Sequence, residues 1–235
     1  MKANMVFFSL VLGSLIAGCS SSTSYHVSKD YRSQAPKLKK VGVVIAQTEI
    51  LNLGLGNYTW PDFEKSAQSK KFFESAAVME FNRKGYAAVL LPIDDDLRAL
   101  IKQYDNTRPY ILYLYSTNII TGNPMAKGDK GEFDTIPSLK STVPVLTRAG
   151  VDAIAIIWAS SQISTSGRTA LSITTAVFGV VVPHGKTYGE LALLDKSGKI
   201  VFFKLKKGKN YNLTEEDSVS RICSELVSDL EAIKQ

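Results

Sequence analysis

Side chains able to do acid–base, nucleophilic or metal chemistry are few in this chain, and they are scattered. It has two histidines, His26 and His184, and two cysteines, Cys19 and Cys223. A metal site needs three or four converging ligands, and no His/Cys/Asp/Glu group has the spacing that would gather them. A serine or cysteine nucleophile needs a base beside it. Only His184, in Pro183-His184-Gly185, is placed to serve, and no serine sits in a Gly-x-Ser-x-Gly turn. Paired carboxylates could be assembled in space from Asp62, Glu64, Asp94 or Asp152, but the sequence selects no two of them. Asp94-Asp95-Asp96 stands where a helix begins. Successive side chains on a helix diverge by about 100°, so these acids suit the positive helix end better than one metal ion. Gly54-Leu55-Gly56 lacks both the Gly-Lys-Ser/Thr ending of a phosphate loop and the spacing of a dinucleotide fingerprint. The expectation is a protein that is not an enzyme, with no metal and no cofactor.

The remaining reactive residue is Cys19. Lys2 supplies a short positive start, and Met5 to Ala17 an apolar core shorter than the roughly 20 residues that span a bilayer. The core ends Leu15-Ile16-Ala17-Gly18-Cys19, and only Ser, Thr and Tyr fill the next six positions. This stretch resembles the bacterial lipoprotein signal, in which diacylglycerol alkylates the thiol and the chain is cut before the cysteine. The alternative is an ordinary secretory signal with an incidental cysteine. The resemblance implies a signal peptide over residues 1–18 and a mature chain carrying three acyl groups on Cys19. Each buried methylene contributes about 0.8 kcal/mol and two lipid signals already anchor stably, so such an attachment is effectively permanent. The resemblance also implies the bacterial sorting rule, by which an aspartate after the cysteine retains a lipoprotein in the inner membrane. Ser20 stands there instead, which implies the inner leaflet of the outer membrane, facing the periplasm.

Composition narrows the remaining choices. Hydrophobic residues make up 45% of the chain, enough for a packed core. The formal charge of +6 is unevenly placed: from Cys19 to Lys40 there are five basic residues and one acid, and from Val41 onward 22 basic against 21 acidic. The basic excess therefore belongs to the segment 19–40, read as a flexible tether that holds the domain off the membrane, and nucleic acid is not an expected partner. Residues 41–235 then form a single globular domain.

Within it, Val41 to Ala46 reads as a strand buried on both faces. Pro61 to Lys84 reads as a helix stopped by Gly85, Tyr86 to Leu91 as another buried strand, and Asp94 to about Tyr104 as a second helix. Tyr110 to Ile120 is apolar and fits strand or helix. Thr121 to Ile136, with four prolines and glycines, reads as a mobile loop, and Ser138 to Ala149 as a short helix ended by Gly150. Val151 toward Ser164, Thr169 to Val182, Tyr188 to Leu194 and Ile200 to Leu205 read as strands separated by turns. A helix from Glu215 to Ile233 closes the chain, with Thr214 three residues ahead of Asp217 in a capping pattern. On it, Val219, Ile222, Leu226 and Leu230 place Cys223 on the apolar face, where a thiol is buried and inert. The fold class is α/β (α+β): a mixed sheet with flanking helices, one long antiparallel hairpin and a C-terminal helix.

Val41-Gly-Val-Val-Ile, the helix ending Arg83-Lys84-Gly85-Tyr86, Gly150-Val151-Asp152-Ala153-Ile154 and Tyr188-Gly-Glu-Leu-Ala-Leu-Leu-Asp195 form an ordered set. The set resembles envelope lipoproteins with a domain like the amino-terminal domain of the translocation protein TolB. Relatives of that fold occur in the curli-secretion lipoprotein and the penicillin-binding-protein activator lipoproteins. The resemblance implies a non-catalytic binding or assembly module with an envelope protein as partner, and it leaves self-association open. An alternative is a subunit of an oligomeric outer-membrane secretion pore, with Ser160 to Val182 as its hairpin. On the second strand Thr169, Leu171, Ile173, Thr175 and Val177 would suit lipid, but Ser160 to Ser164 offers no apolar face, so the binding module is preferred.

Overall fold

A computed structural model describes residues 23–28, 31–120, 135–176, 185–209 and 211–233. Alternation along one strand explains the layering. In Ala153–Ser164, residues Ala153, Ala155, Ile157 and Ala159 point to one face, and Ile154, Ile156, Trp158 and Ser160 to the other. Residues 153–157 are all fully buried, so both faces must be covered, as the continuous apolar run requires.

The strands are β1 (Thr23–Val27), β2 (Lys40–Leu53), β3 (Thr59–Pro61), β4 (Ala87–Leu90), β5 (Ala153–Ser164), β6 (Thr187–Leu194) and β7 (Ile200–Gly208). The helices are α1 (Tyr31–Gln34), α2 (Phe63–Arg83), α3 (Asp95–Ile120), α4 (Thr142–Ala149), α5 (Ser166–Ala176) and α6 (Glu216–Val227). All seven strands form one mixed sheet in the order β1-β7-β6-β5-β2-β3, with β4 also on β2. The β2–β5 and β2–β4 pairs are parallel and the others antiparallel. Helices α2 and α6 cover one face, where Phe73, Ala77, Phe81, Ile222 and Leu226 share one buried cluster with the small side of β5. On the other, α3 and α4 bring Leu97, Leu100, Tyr104, Ile111 and Leu146 against Ile154, Ile156 and Phe203. This is the α/β fold that the sequence predicts.

Several elements differ from the sequence expectation. The segment read as a flexible tether is ordered over its described part: β1 pairs with β7, Tyr25 stacks on Phe202 at 6.1 Å, and Tyr31 is only 1% exposed. The Tyr31 hydroxyl accepts a bond from the Glu231 N–H at 3.2 Å. The polar composition of 23–40 hid one aromatic at each of two contacts, and those contacts give the segment its fold. Tyr110–Ile120 is the second half of α3, which continues through Pro109. β4 is not a buried strand but an exposed edge, with Val89 47% and Leu90 44% accessible; the buried residues are its flanks, Tyr86 and Leu91.

The expected strand Thr169–Val182, the returning arm of the long hairpin, is helix α5 over its described residues. The Thr169 N–H donates to the Thr165 carbonyl at 2.9 Å, which starts the helix. One turn in, the buried Arg168 donates to the Gly54 carbonyl at 3.0 Å, tying α5 to the end of β2. Alternating Thr, Leu and Ile are compatible with either period. The pore reading loses the strand it needed. His184, Cys19, residues 1–18 and most of the 121–136 loop lie outside the described residues. At the last helix the cap expected of Thr214 is not formed: the N-cap is Glu215, with no side-chain cap bond, Asn212 Oδ1 accepts from the Thr214 N–H at 3.2 Å in the preceding turn, and the helix ends at Val227.

The β6–β7 turn is built by Asp195, whose Oδ1 accepts from the backbone of Ser197 at 2.8 Å and of Lys199 at 3.1 Å. Gly198 closes it at φ 77°, and its carbonyl accepts the Leu139 N–H at 2.8 Å, pinning the segment before α4. A Cβ at this position would strike the Leu139 carbonyl oxygen. Gly198→Ala is therefore expected to destabilise the domain by roughly 1–3 kcal/mol, combining left-handed strain with a backbone clash. Chemical denaturation measures it, with an unchanged midpoint as the contrary result.

Candidate functional site

The carboxylates singled out from sequence are not brought together. Asp62 caps α2, accepting from the Lys65 N–H at 3.1 Å and ammonium at 2.8 Å, and those bonds hold its pKa below the ordinary carboxylate value. Glu64 lies beside it in the first turn of α2. Asp94 does the same for α3: the Leu97 N–H bonds its Oδ1 at 2.9 Å, and Arg148 reaches its Oδ2 at 2.5 Å. Its pKa is lowered, chiefly by the Leu97 N–H. Burial alone would raise Asp152, but the Lys40 N–H at 3.0 Å and Lys196 at 3.2 Å outweigh it and lower its pKa. Asp62, Asp94 and Asp152 each close a joint of the fold. Cys223 is fully buried, and burial, aided by the nearby Glu80 charge, pushes its thiol pKa well up. Among the described residues no group of three His, Cys, Asp or Glu could hold a metal ion.

A different set of residues does converge, at the α3 face of the sheet. Strand register dictates it. Trp158, Glu190 and Leu205 are neighbours across β5, β6 and β7, and Ser160, Tyr188 and Lys207 form the next row on the same face. Glu190 is fully buried, a carboxylate in the middle of a covered sheet. Such a charge is tolerated only when paired and hydrogen-bonded. α3 supplies both partners one turn apart. The Tyr104 hydroxyl donates to Glu190 Oε1, and Arg108 Nε lies 2.9 Å from Oε2 and 3.1 Å from Oε1. Burial raises the Glu190 pKa against the pull of Arg108 and Tyr104, and burial beside that carboxylate also raises Tyr104.

Arg108 is fixed from a second side. Its guanidinium lies 3.6 Å from the centroid of Trp158, whose indole N–H donates to Gln47 Oε1 at 3.0 Å. Gln47 faces Trp158 because β2 shifts register between Ile45 and Gln47 against β5. Beside this network lies a cavity of about 410 Å³ that Arg108 and the exposed Lys207 help to line. Leu112, Leu205 and the ring of Tyr115 form its apolar wall, and Ser160 and Tyr188 complete it. An open hollow at the start of α6 is larger, about 490 Å³, but three of its polar groups are already engaged: Tyr211 donates to Glu225, outside the lining, at 2.6 Å, and Asn212 to Glu215 at 2.8 Å.

Sequence reasoning missed this constellation, although two signals were legible. Glu190 is a lone acid in the apolar run 189–194, and Tyr104 and Arg108 share a helix face at a four-residue step. The register that joins them was not.

No family model matches the chain, and no curated protein does. Among solved structures it is similar to the PelC dodecamer from Paraburkholderia phytofirmans, at 9% identity and a TM-score of 0.39 over 92% of this chain and 100% of that one. A point variant of that dodecamer gives 10% identity and a TM-score of 0.40 over 91% and 99%. An amidase family protein from Bacillus anthracis gives 15% identity and a TM-score of 0.23, covering 88% of this chain and 41% of that one. No residue role is carried from them to this chain.

The Glu190 network makes a direct prediction. Removing Arg108 leaves a buried carboxylate without its cation, so Arg108→Ala is expected to cost about 3 kcal/mol of stability. Combining it with Glu190→Gln is expected to restore part of that loss. Denaturation of the two single variants and the double variant measures the coupling; strict additivity would show that the pair does not interact.

Proposed function

We propose that the chain is a lipid-anchored binding module of the bacterial envelope. It is held through Cys19 in the outer membrane on the periplasmic side and acts through contacts with other envelope components, not by catalysis. On the short motifs given above, it is grouped with the TolB-like envelope lipoproteins. One observation supports the binding half of this reading. The candidate acids Asp62, Asp94 and Asp152 are committed to helix starts and chain joints, and Glu190 to its own ion pair. The cavity beside the Glu190 pair presents cations and rings, with no nucleophile–base pair among its lining residues. The anchoring half rests on Leu15-Ile-Ala-Gly-Cys19 and Ser20.

Envelope fractionation tests the anchor. Wild-type chain is expected in the outer membrane, and Cys19→Ala is expected to remain uncut and to leave that fraction. A variant processed and sorted like wild type overturns the lipid anchor. Crosslinking in intact cells, followed by purification, then tests the binding role by identifying what the domain touches.

A further inference from the structure

The cavity under α3 has a feature that the buried ion pair does not use. Arg108 spends only its Nε on Glu190; among the described residues no hydrogen bond involves Nη1 or Nη2. The guanidinium is held in place by the carboxylate on one side and the Trp158 ring on the other, and the side chain is 20% exposed. Its remaining N–H groups are thus oriented in advance, at little entropic cost to a ligand. Across the cavity mouth stands Lys207, whose ammonium lies 5.9 Å from the Tyr115 ring and 5.8 Å from the Tyr188 ring. No carboxylate among the described residues pairs with it. Of the residues that line the cavity, Arg108 and Lys207 are cationic and none is acidic; Asp105, whose charge also acts on Arg108 and Glu190, lies outside the lining.

The interior differs from the mouth. Leu112 and Leu205 line it, together with a Tyr115 that is 2% exposed and packs edge-on against Phe203 at 6.0 Å. Arg108 covers one face of Trp158, and Lys207 stands near both tyrosine rings. Two leucines beside rings already engaged by cations favour a flexible aliphatic chain over a group that binds by stacking.

We propose that this cavity binds an amphipathic organic anion. Its carboxylate or phosphate head is held by the Arg108 η N–H groups and by Lys207, and its acyl body lies against Leu112, Leu205 and Tyr115. The inference deepens the binding half of the reading above and is independent of the anchor: failed sorting of Cys19→Ala leaves it standing, and failed ligand binding leaves the sorting result untouched.

The test uses the full chain carrying Trp60→Phe, so that Trp158 is its only tryptophan. Octanoate and octyl phosphate are titrated against Trp158 emission, with 1-octanol, octylammonium and acetate as probes of charge and body. Saturable binding of at least one octyl anion is expected, with the neutral, cationic and chain-free probes roughly tenfold weaker or worse. The tighter of the two anions identifies a free carboxylate or a phosphate headgroup as the source. Lys207→Gln, at an exposed position, is expected to weaken binding roughly tenfold without moving the melting temperature, and Lys207→Arg to retain it. Octanol binding as tightly as octanoate, acetate matching octanoate, an unchanged affinity in Lys207→Gln, or no saturation by either anion would each overturn the proposal.

Discussion

The parallel pairing of β2 with β5 is the constraint on which the rest of this structure depends. It runs from Val41 opposite Ala153 to Leu53 opposite Ser164, and it joins segments more than a hundred residues apart. A parallel pair needs crossover connections, and these place helices on both sides, so that neither face of the strand segments 41–45 and 153–157 meets water. Everything polar that points into those faces must then find a partner within the protein. The register shift between Ile45 and Gln47 is part of the same constraint, because it sets Gln47 against Trp158. Trp158 in turn fixes Arg108, and Arg108 makes Glu190 tolerable.

The two faces solve this problem with opposite charges. On the α3 side the strand carries the acid, Glu190, and the helix brings the cation. On the α6 side the strand carries the cations. Lys204, 1% exposed, donates to Ser228 Oγ at 2.8 Å and to Asp229 at 2.5 Å, and Lys206 pairs with Glu225. Burial lowers the Lys204 pKa against those partners. Neither arrangement is strong evidence for stability, since the desolvation of each charge offsets most of the attraction. What they do enforce is position: sliding α3 or α6 by one turn along the sheet would strand a buried charge.

Much of this was legible from residue patterns, and the exceptions share a cause. The apolar runs 41–46, 153–158 and 188–194 declare central strands, and Gly85 and Gly150 declare helix ends, because burial and left-handed backbone are local demands on residue type. The helix at 166–176 and the strand at 23–27 were misread because their cause is distant. One is secured by Arg168 reaching Gly54, the other by Tyr25 and Tyr31 packing on Phe202. The cavity follows the same rule. Its lining comes from α3 and three strands brought together by register, and no window of sequence contains more than a fragment of it.

The order at 23–27 changes what an attachment at Cys19 would mean mechanically. Only three residues separate Cys19 from β1, a span of about 14 Å at full extension. A domain on so short a leash would have little freedom to sweep a volume at the bilayer. Any load between membrane and domain would pass first through β1 into β7. Five residue pairs join these two strands, from Thr23 opposite Lys206 to Val27 opposite Phe202. Pulled along the strand, the pairs bear the force together; pulled across it, they open one after another. The edge strand is then less a spacer than a mechanical coupling, and its resistance depends on the angle at which the domain is tugged.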